Sequence, residues 1–191
     1  MKILVLHGKG SSPKKIEWLA SPLRAFGEVD APEADIEAEE FIQRFMSKNY
    51  DLVAGHSRGG TFALLYAAYR GVPVIAVSAP SDRMKQRDYL SRFSEGTIQR
   101  KLYEDLSGLS KEYLQSTSPI FLAEKIKDAL LIHGSEDSIV PVEQSIEMCK
   151  LINEKGGRCF LSIVKMKHTP SIANYKEISS IIQEWVRRHV V

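Results

Sequence analysis

Residues 52–60 read Leu52-Val53-Ala54-Gly55-His56-Ser57-Arg58-Gly59-Gly60. An apolar run ends in a serine with a glycine two positions away on either side. A flexible surface loop could use these letters, and so could a sharp turn from a strand into a helix. In the sharp turn, the small flanking residues let strand and helix close without a side-chain collision. The serine hydroxyl is then left exposed at the end of the sheet. From ordinary residue frequencies, Gly-x-Ser-x-Gly arises by chance in roughly one chain in fifteen of this size. The pattern alone therefore decides little, and its flanks decide more. Asp51 to Ala54 reads as a buried strand, and Thr61 to Tyr69, rich in Ala and Leu, reads as a helix.

The same alternation extends outward from this turn. Ile3 to Leu6 is a short apolar run closed by His7-Gly8. Ser12-Pro13 marks the start of a helix whose inward stripe is Ile16, Leu19, Leu23 and Phe26. Glu28 to Ala31 is a weaker strand ended by Pro32, and Ala38, Phe41, Ile42, Phe45 and Met46 recur at helical spacing. Val72 to Val77 is a β-branched run interrupted by Pro73 and Ala76. Ala129 to Ile132 and Cys159 to Val164 are further strands. Between them Val142, Ile146, Cys149 and Ile152 form a helical stripe that stops at Gly156-Gly157. Tyr175, Ile178, Ile182 and Trp185 line a last helix. Strands separated by helices imply right-handed crossovers and an open, mostly parallel sheet of about six strands with helices on both faces. The class is α/β, in one domain over residues 1–191.

Residues 82–116 break the rhythm. They are polar and helix-forming, with Tyr89, Leu90, Phe93, Leu102, Tyr103, Leu106 and Leu109 as scattered apolar anchors. The segment is too long for an ordinary loop and reads as a small helical cap or insertion. One crossover helix with a long loop is the plainer alternative.

Composition narrows the function. A net charge of +2, with no basic block, argues against a nucleic-acid partner. The apolar run before His7 is too short for a signal peptide, and no segment approaches a membrane span, so a soluble cytoplasmic protein is expected. Cys149 and Cys159 lie in apolar patterns away from any metal-ligand spacing. They are expected as small buried thiols in a reducing compartment.

A serine hydroxyl needs a base to become a nucleophile near neutral pH. Asp137 follows the Ala129–Ile132 strand in His133-Gly134-Ser135-Glu136-Asp137-Ser138-Ile139-Val140-Pro141, with Glu136 as the alternative acid. His168 follows the Cys159–Val164 strand. Parallel strands deliver their following loops to one edge, so Ser57, Asp137 and His168 can meet there. Among the other histidines, His7 and His133 are expected to bind loop backbone, His56 to pack within the turn, and His189 to sit in the tail. Lys9, Arg58, Arg83, Lys85 and Lys167 are expected near the pocket mouth, either as solvated charges or as attractors of an anionic substrate group.

The GHSRGG turn, the HGSEDSIVP loop and the late histidine together resemble the α/β-hydrolase superfamily over essentially the whole chain. The stretch from Ser118-Pro119 to His168 is similar to the catalytic domain of prolyl-oligopeptidase-type peptidases, and also to dienelactone-hydrolase-like proteins, which usually carry cysteine at the position of Ser57. The resemblance implies a minimal version of the fold lacking the superfamily's first two strands. No propeller fits in this length, and Arg58 stands where the peptidases carry an aromatic residue. It also implies that the backbone N–H groups of Lys9, in His7-Gly8-Lys9-Gly10, and of Arg58 bind a tetrahedral oxyanion.

The expectation is a serine hydrolase with Ser57 as nucleophile, His168 as base and Asp137 as acid, acting on a small carboxylic ester or thioester. It needs no metal or organic cofactor. A short-peptide or acyl-amide hydrolase and a non-catalytic ligand-binding homologue are the alternatives.

Overall fold

A computed structural model describes residues 1–191. Six parallel strands form one open sheet in the order β2-β1-β3-β4-β5-β6. They are β1 (Lys2–Leu6), β2 (Glu28–Asp30), β3 (Leu52–His56), β4 (Val74–Val77), β5 (Asp128–Gly134) and β6 (Arg158–Val164). This is the open, parallel six-strand sheet with helices on both faces that the alternation of strands and helices implied. β4 begins two residues later than the β-branched run suggested, because Pro73 has no N–H to give the ladder.

Eight α-helices accompany the sheet: α1 (Glu17–Leu23), α2 (Ala38–Phe45), α3 (Arg58–Arg70), α4 (Arg83–Leu90), α5 (Ile98–Ser107), α6 (Lys111–Ser116), α7 (Glu143–Glu154) and α8 (Ile172–His189). Residues 13–16 and 119–125 add two 3₁₀ turns. Pro13 sits in the first of these, but the Ser12 side chain makes no capping bond.

Alternation along each strand divides the core into two layers. Leu4, Leu6, Val53, Val74, Ala76 and Leu131 face one side, with residues of α2, α3 and α7. Ile3, Val5, Leu52, Ala54, Ile75, Val77 and Ile132 face the other, with residues of α1 and α8. On the first side, Phe41 stacks on Phe62 at 4.7 Å between ring centres and fastens α2 to α3. Such a pair adds about 0.5–1.5 kcal/mol beyond its buried area.

The chain runs from β1 outward to β2 and then returns to β3 on the other side of β1. The connections leaving β1 and β3 therefore pass to opposite faces, through α1 and α3. A crevice opens between them at the strands' carboxyl ends. The loop after β1 holds Gly8 and Lys9, and the turn after β3 holds Ser57.

The cysteines differ from expectation. Cys149 on α7 and Cys159 on β6 form a disulfide, with Cα atoms 5.2 Å apart. The Gly156-Gly157 turn folds α7 straight back onto β6, so two apolar stripes that each look like separate core face one another. Neither thiol is free. No helix is long and apolar enough to cross a membrane.

Candidate active site

Ser57 occupies the junction of β3 and α3 with φ 55° and ψ −126°. A non-glycine residue at positive φ is strained by about 1–3 kcal/mol unless its surroundings hold it there. Several contacts do so. The Ser57 N–H donates to the Val77 carbonyl at 2.9 Å, and the Thr61 N–H donates back to the Ser57 carbonyl at 3.1 Å. The flanking glycines permit the turn. A Cβ on Gly55 would strike the Gly59 carbonyl, and one on Gly59 would strike the Leu6 and His7 carbonyls. The loop after β1 also comes close, since a Cβ on Gly8 would lie 3.1 Å from the Ser57 Cβ.

The structure brings Ser57, His168 and Asp137 into one hydrogen-bonded chain. Ser57 Oγ lies 2.9 Å from His168 Nε2, and His168 Nδ1 lies 2.8 Å from Asp137 Oδ2. The Asp137 carboxylate is almost wholly buried, whereas the His168 ring is partly open. Asp137 Oδ1 accepts the N–H groups of Ile139 at 2.8 Å and Val140 at 2.9 Å. The bonds to its own loop and the contact to His168 thus use different oxygens of one carboxylate. Glu136 is exposed and contributes only its backbone N–H, to the Met166 carbonyl.

Burial works against ionisation of Asp137. The hydrogen bonds from His133 and His168, the His168 charge and the Val140 N–H outweigh it, and hold the carboxyl well below the usual range. His133 is a contact that sequence reasoning did not identify. Its Nε2 donates to the Val140 carbonyl at 2.9 Å and lies 3.2 Å from Asp137 Oδ2. Ser145 Oγ meets its Nδ1 at 2.6 Å. His133 does bind loop backbone, as expected, but it also braces the carboxylate.

His56 packs against Trp18 edge-on, with ring centres 5.5 Å apart. Its burial, reinforced by the nearby His168, pushes its pKa down to about 3. His7 accepts the Ala34 N–H at 2.9 Å. His189 lies against Phe160, remote from Ser57 in the fold.

The N–H groups of Lys9 and Arg58 find no acceptor within the protein. That of Arg58 is the first in α3, where no intrahelical acceptor exists and the helix dipole favours negative charge.

A cavity of about 600 Å³ opens over Ser57 and His168. One wall comes from the 82–116 segment, which folds as α4, α5 and α6. Ile98, Leu102, Leu106 and Leu109 present an apolar stripe to the cavity. Of the five basic residues expected at its mouth, Lys9, Arg58 and Arg83 line it; Lys85 and Lys167 do not. Lys85 instead pairs with Glu147 at 2.6 Å, because its position on α4 turns it toward α7. No cluster of His, Cys, Asp and Glu forms a metal-binding group.

Comparison with known proteins agrees with this architecture. The chain superposes on a Pyrococcus furiosus esterase with a TM-score of 0.72 at 18% identity, covering 100% of this chain and 81% of that one. A Pyrococcus horikoshii acylaminoacyl peptidase gives a TM-score of 0.71 at 17% identity, with 99% of this chain covered but only 37% of the peptidase. The chain thus spans little more than a third of that enzyme's length. An esterase domain from a Rhodothermus marinus protein gives a TM-score of 0.67 at 20% identity, covering 100% and 88% of the two chains. No curated protein sequence matches. The profile of the prolyl oligopeptidase family matches residues 1–190, and the chain accordingly belongs to that family of hydrolases within the α/β-hydrolase superfamily.

Proposed function

We propose that this protein is a serine hydrolase that cleaves small carboxylic esters or thioesters through an acyl-enzyme. The observation that carries the reading is the unbroken chain Ser57 Oγ–His168 Nε2 and His168 Nδ1–Asp137 Oδ2, at 2.9 and 2.8 Å.

In the proposed reaction Ser57 Oγ attacks the acyl carbon while its proton passes to His168 Nε2. Asp137 keeps the Nδ1 hydrogen directed at itself and stabilises the imidazolium. The negative charge on the substrate oxygen is met by the N–H groups of Lys9 and Arg58, each such donor contributing roughly 2.7–4 kcal/mol to the transition state. As the tetrahedral intermediate collapses, the bond to the leaving oxygen or sulfur breaks and His168 returns the proton to it. Water then attacks the acyl-enzyme, gives a proton to His168, and releases the carboxylic acid and free Ser57. The apolar face of α5 beside Ser57 favours an acyl chain as the group that is bound.

A second reading, hydrolysis of an acylated amide or short peptide, is favoured by membership of the prolyl oligopeptidase family. A fluorophosphonate probe is the first test: wild type labels and Ser57→Ala does not. An unlabelled but folded wild type would instead indicate a non-catalytic binder. Comparing kcat/KM for p-nitrophenyl esters with that for acylaminoacyl p-nitroanilides then separates the two enzymatic readings.

A further inference from the structure

We propose that Arg83 binds a carboxylate carried by the substrate, at a point in the cavity separate from the reacting carbonyl. The proposal rests on the hydrolase reading above and specifies its substrate class.

Arg83 opens α4 and is 6% exposed, yet it lines the cavity that contains Ser57 and His168. Of the other cations that line the cavity, Lys15 is exposed to solvent, and Lys9 and Arg58 are paired. Lys9 meets Asp105 at 2.6 Å, and Arg58 meets Asp35 and Glu37. The acid next to Arg83 in sequence, Asp82, is committed to the N–H groups of Met84 and Lys85, both at 3.0 Å. Glu37 contributes a favourable field at Arg83, but its carboxylate is held by Arg58.

Arg83 is therefore a buried cation without a carboxylate partner. Its guanidinium donates from a terminal nitrogen to Thr117 Oγ1 at 2.6 Å and lies 5.6 Å from the centre of the Tyr113 ring, whose side chain also favours the charged form. Guanidinium carries five N–H groups, so most of its donors have no protein acceptor. Burial without a counter-ion disfavours the charged form, and here it lowers the guanidinium's pKa from its ordinary value. The arrangement is nonetheless built rather than incidental. The Arg83 backbone N–H donates to Ser118 Oγ at 2.9 Å, which ties the start of α4 to the end of α6. A fixed, planar fork with open donors in a part-closed cavity suits a bidentate carboxylate. The single buried, uncompensated positive charge matches one negative charge, which favours a carboxylate over a dianionic phosphate.

The test compares p-nitrophenyl monoesters of dicarboxylic acids, from adipic to sebacic, with the same compounds capped as methyl esters. For the leaving-group side it compares carboxyphenyl with methoxycarbonylphenyl butyrate. The wild type is expected to prefer the carboxylate member of at least one pair by roughly ten- to a hundredfold in kcat/KM. In Arg83→Gln the ratio should fall to near one. Arg83→Lys, which keeps the charge but loses the fork, should retain only part of it and serves alone if the Gln variant does not fold. A merely structural Arg83 would lower both rates together and leave the ratio unchanged. That outcome, or no carboxylate preference in any pair, overturns the proposal. Should no ester be turned over at all, the hydrolase reading fails separately, and calorimetry of suberate with wild type and the Arg83 variants decides this one. Arg83-dependent binding of suberate supports it. No such binding, or Arg83-dependent binding of inorganic phosphate in its place, overturns it.

Discussion

His56 Nε2 donates a hydrogen bond of 2.9 Å to the main-chain carbonyl of His168, 112 residues away. The residue before the candidate nucleophile thus fastens the loop that carries the candidate base. On the far side of that loop, the N–H groups of Ser135 and Glu136 donate to the carbonyls of Val164 and Met166, at 2.9 and 3.0 Å. A Cβ on Gly134 would strike the Met166 carbonyl, so only a residue without one allows the acid loop this close. The main chain around His168 is thus fastened on one side by the His56 side chain and on the other by the N–H groups of Ser135 and Glu136.

This tie links stability to pH through His56. Its folded pKa of about 3 lies below the ordinary 6.5 because burial disfavours the charged ring. A depressed folded pKa means that the contribution is complete above pH 6.5 and declines as pH falls toward the folded value, since only the unfolded chain takes up the proton. Between pH 6.5 and 5 the expected loss is about 1.6 kcal/mol. Urea unfolding of wild type and His56→Gln at both pH values should show the variant losing less stability on acidification. Asp137, also depressed, acts in a lower window: its contribution is lost only as pH falls below the ordinary carboxylate range.

Asp137 and His133 should separate kinetically. Asp137→Asn removes the acceptor that fixes the His168 tautomer, and kcat should fall by roughly 10⁴ with the fold retained. His133→Ala leaves Asp137 with its Ile139 and Val140 donors, so a loss nearer tenfold is expected. Steady-state kinetics on a single ester, with circular dichroism to confirm folding, measures both. Equal losses would mean that His133 does more than brace the carboxylate.

The helix over the cavity is weakly attached. α5 buries none of its residues. Its polar links are Lys9 to Asp105 at 2.6 Å, on the loop after β1, and Gln99 to Ser138 at 3.2 Å, beside Asp137. With both members of the Lys9–Asp105 pair about 40% exposed, that pair contributes no more than about 1 kcal/mol. Amide hydrogen exchange should therefore be faster in α5 than in α3, and Asp105→Asn should quicken it further by up to roughly fivefold. Protection in α5 equal to that of α3 would contradict this picture.

Reduction of Cys149–Cys159 should destabilise the fold without disabling the site. The two cysteines are ten residues apart, and a loop of that size corresponds to about 2–3 kcal/mol of chain entropy. Cys159 lies near the start of β6, while Ser57 and His168 lie beyond the carboxyl ends of their strands. The denaturation midpoint should fall under reducing conditions, while kcat/KM at moderate temperature changes by less than twofold.

Short-range order was open to reading in the linear chain. Gly55 acts through a clash with Gly59 four residues on, a local relation that the strand–turn–helix pattern around Ser57 carries, whereas Gly59 clears the carbonyls of Leu6 and His7 at the end of the neighbouring strand. Strand alternation and helical spacing also depend on near neighbours alone. These features, with right-handed crossovers, were enough for an α/β class, a six-strand sheet and the Ser57, Asp137, His168 order along one edge.

Tertiary packing alone decided which groups touch. The 2.9 Å separation of Ser57 and His168 spans 111 residues, and no local rule sets it. The hydrogen bonds of His56 and His133, the pairing of Cys149 with Cys159, and the absence of a counter-ion at Arg83 are likewise properties of the assembled molecule. The physical reason is range. Steric and periodic preferences act over a few bonds and can be read from residue types. Hydrogen bonds, ion pairs and desolvation depend on which distant loops the sheet delivers to the same few ångströms.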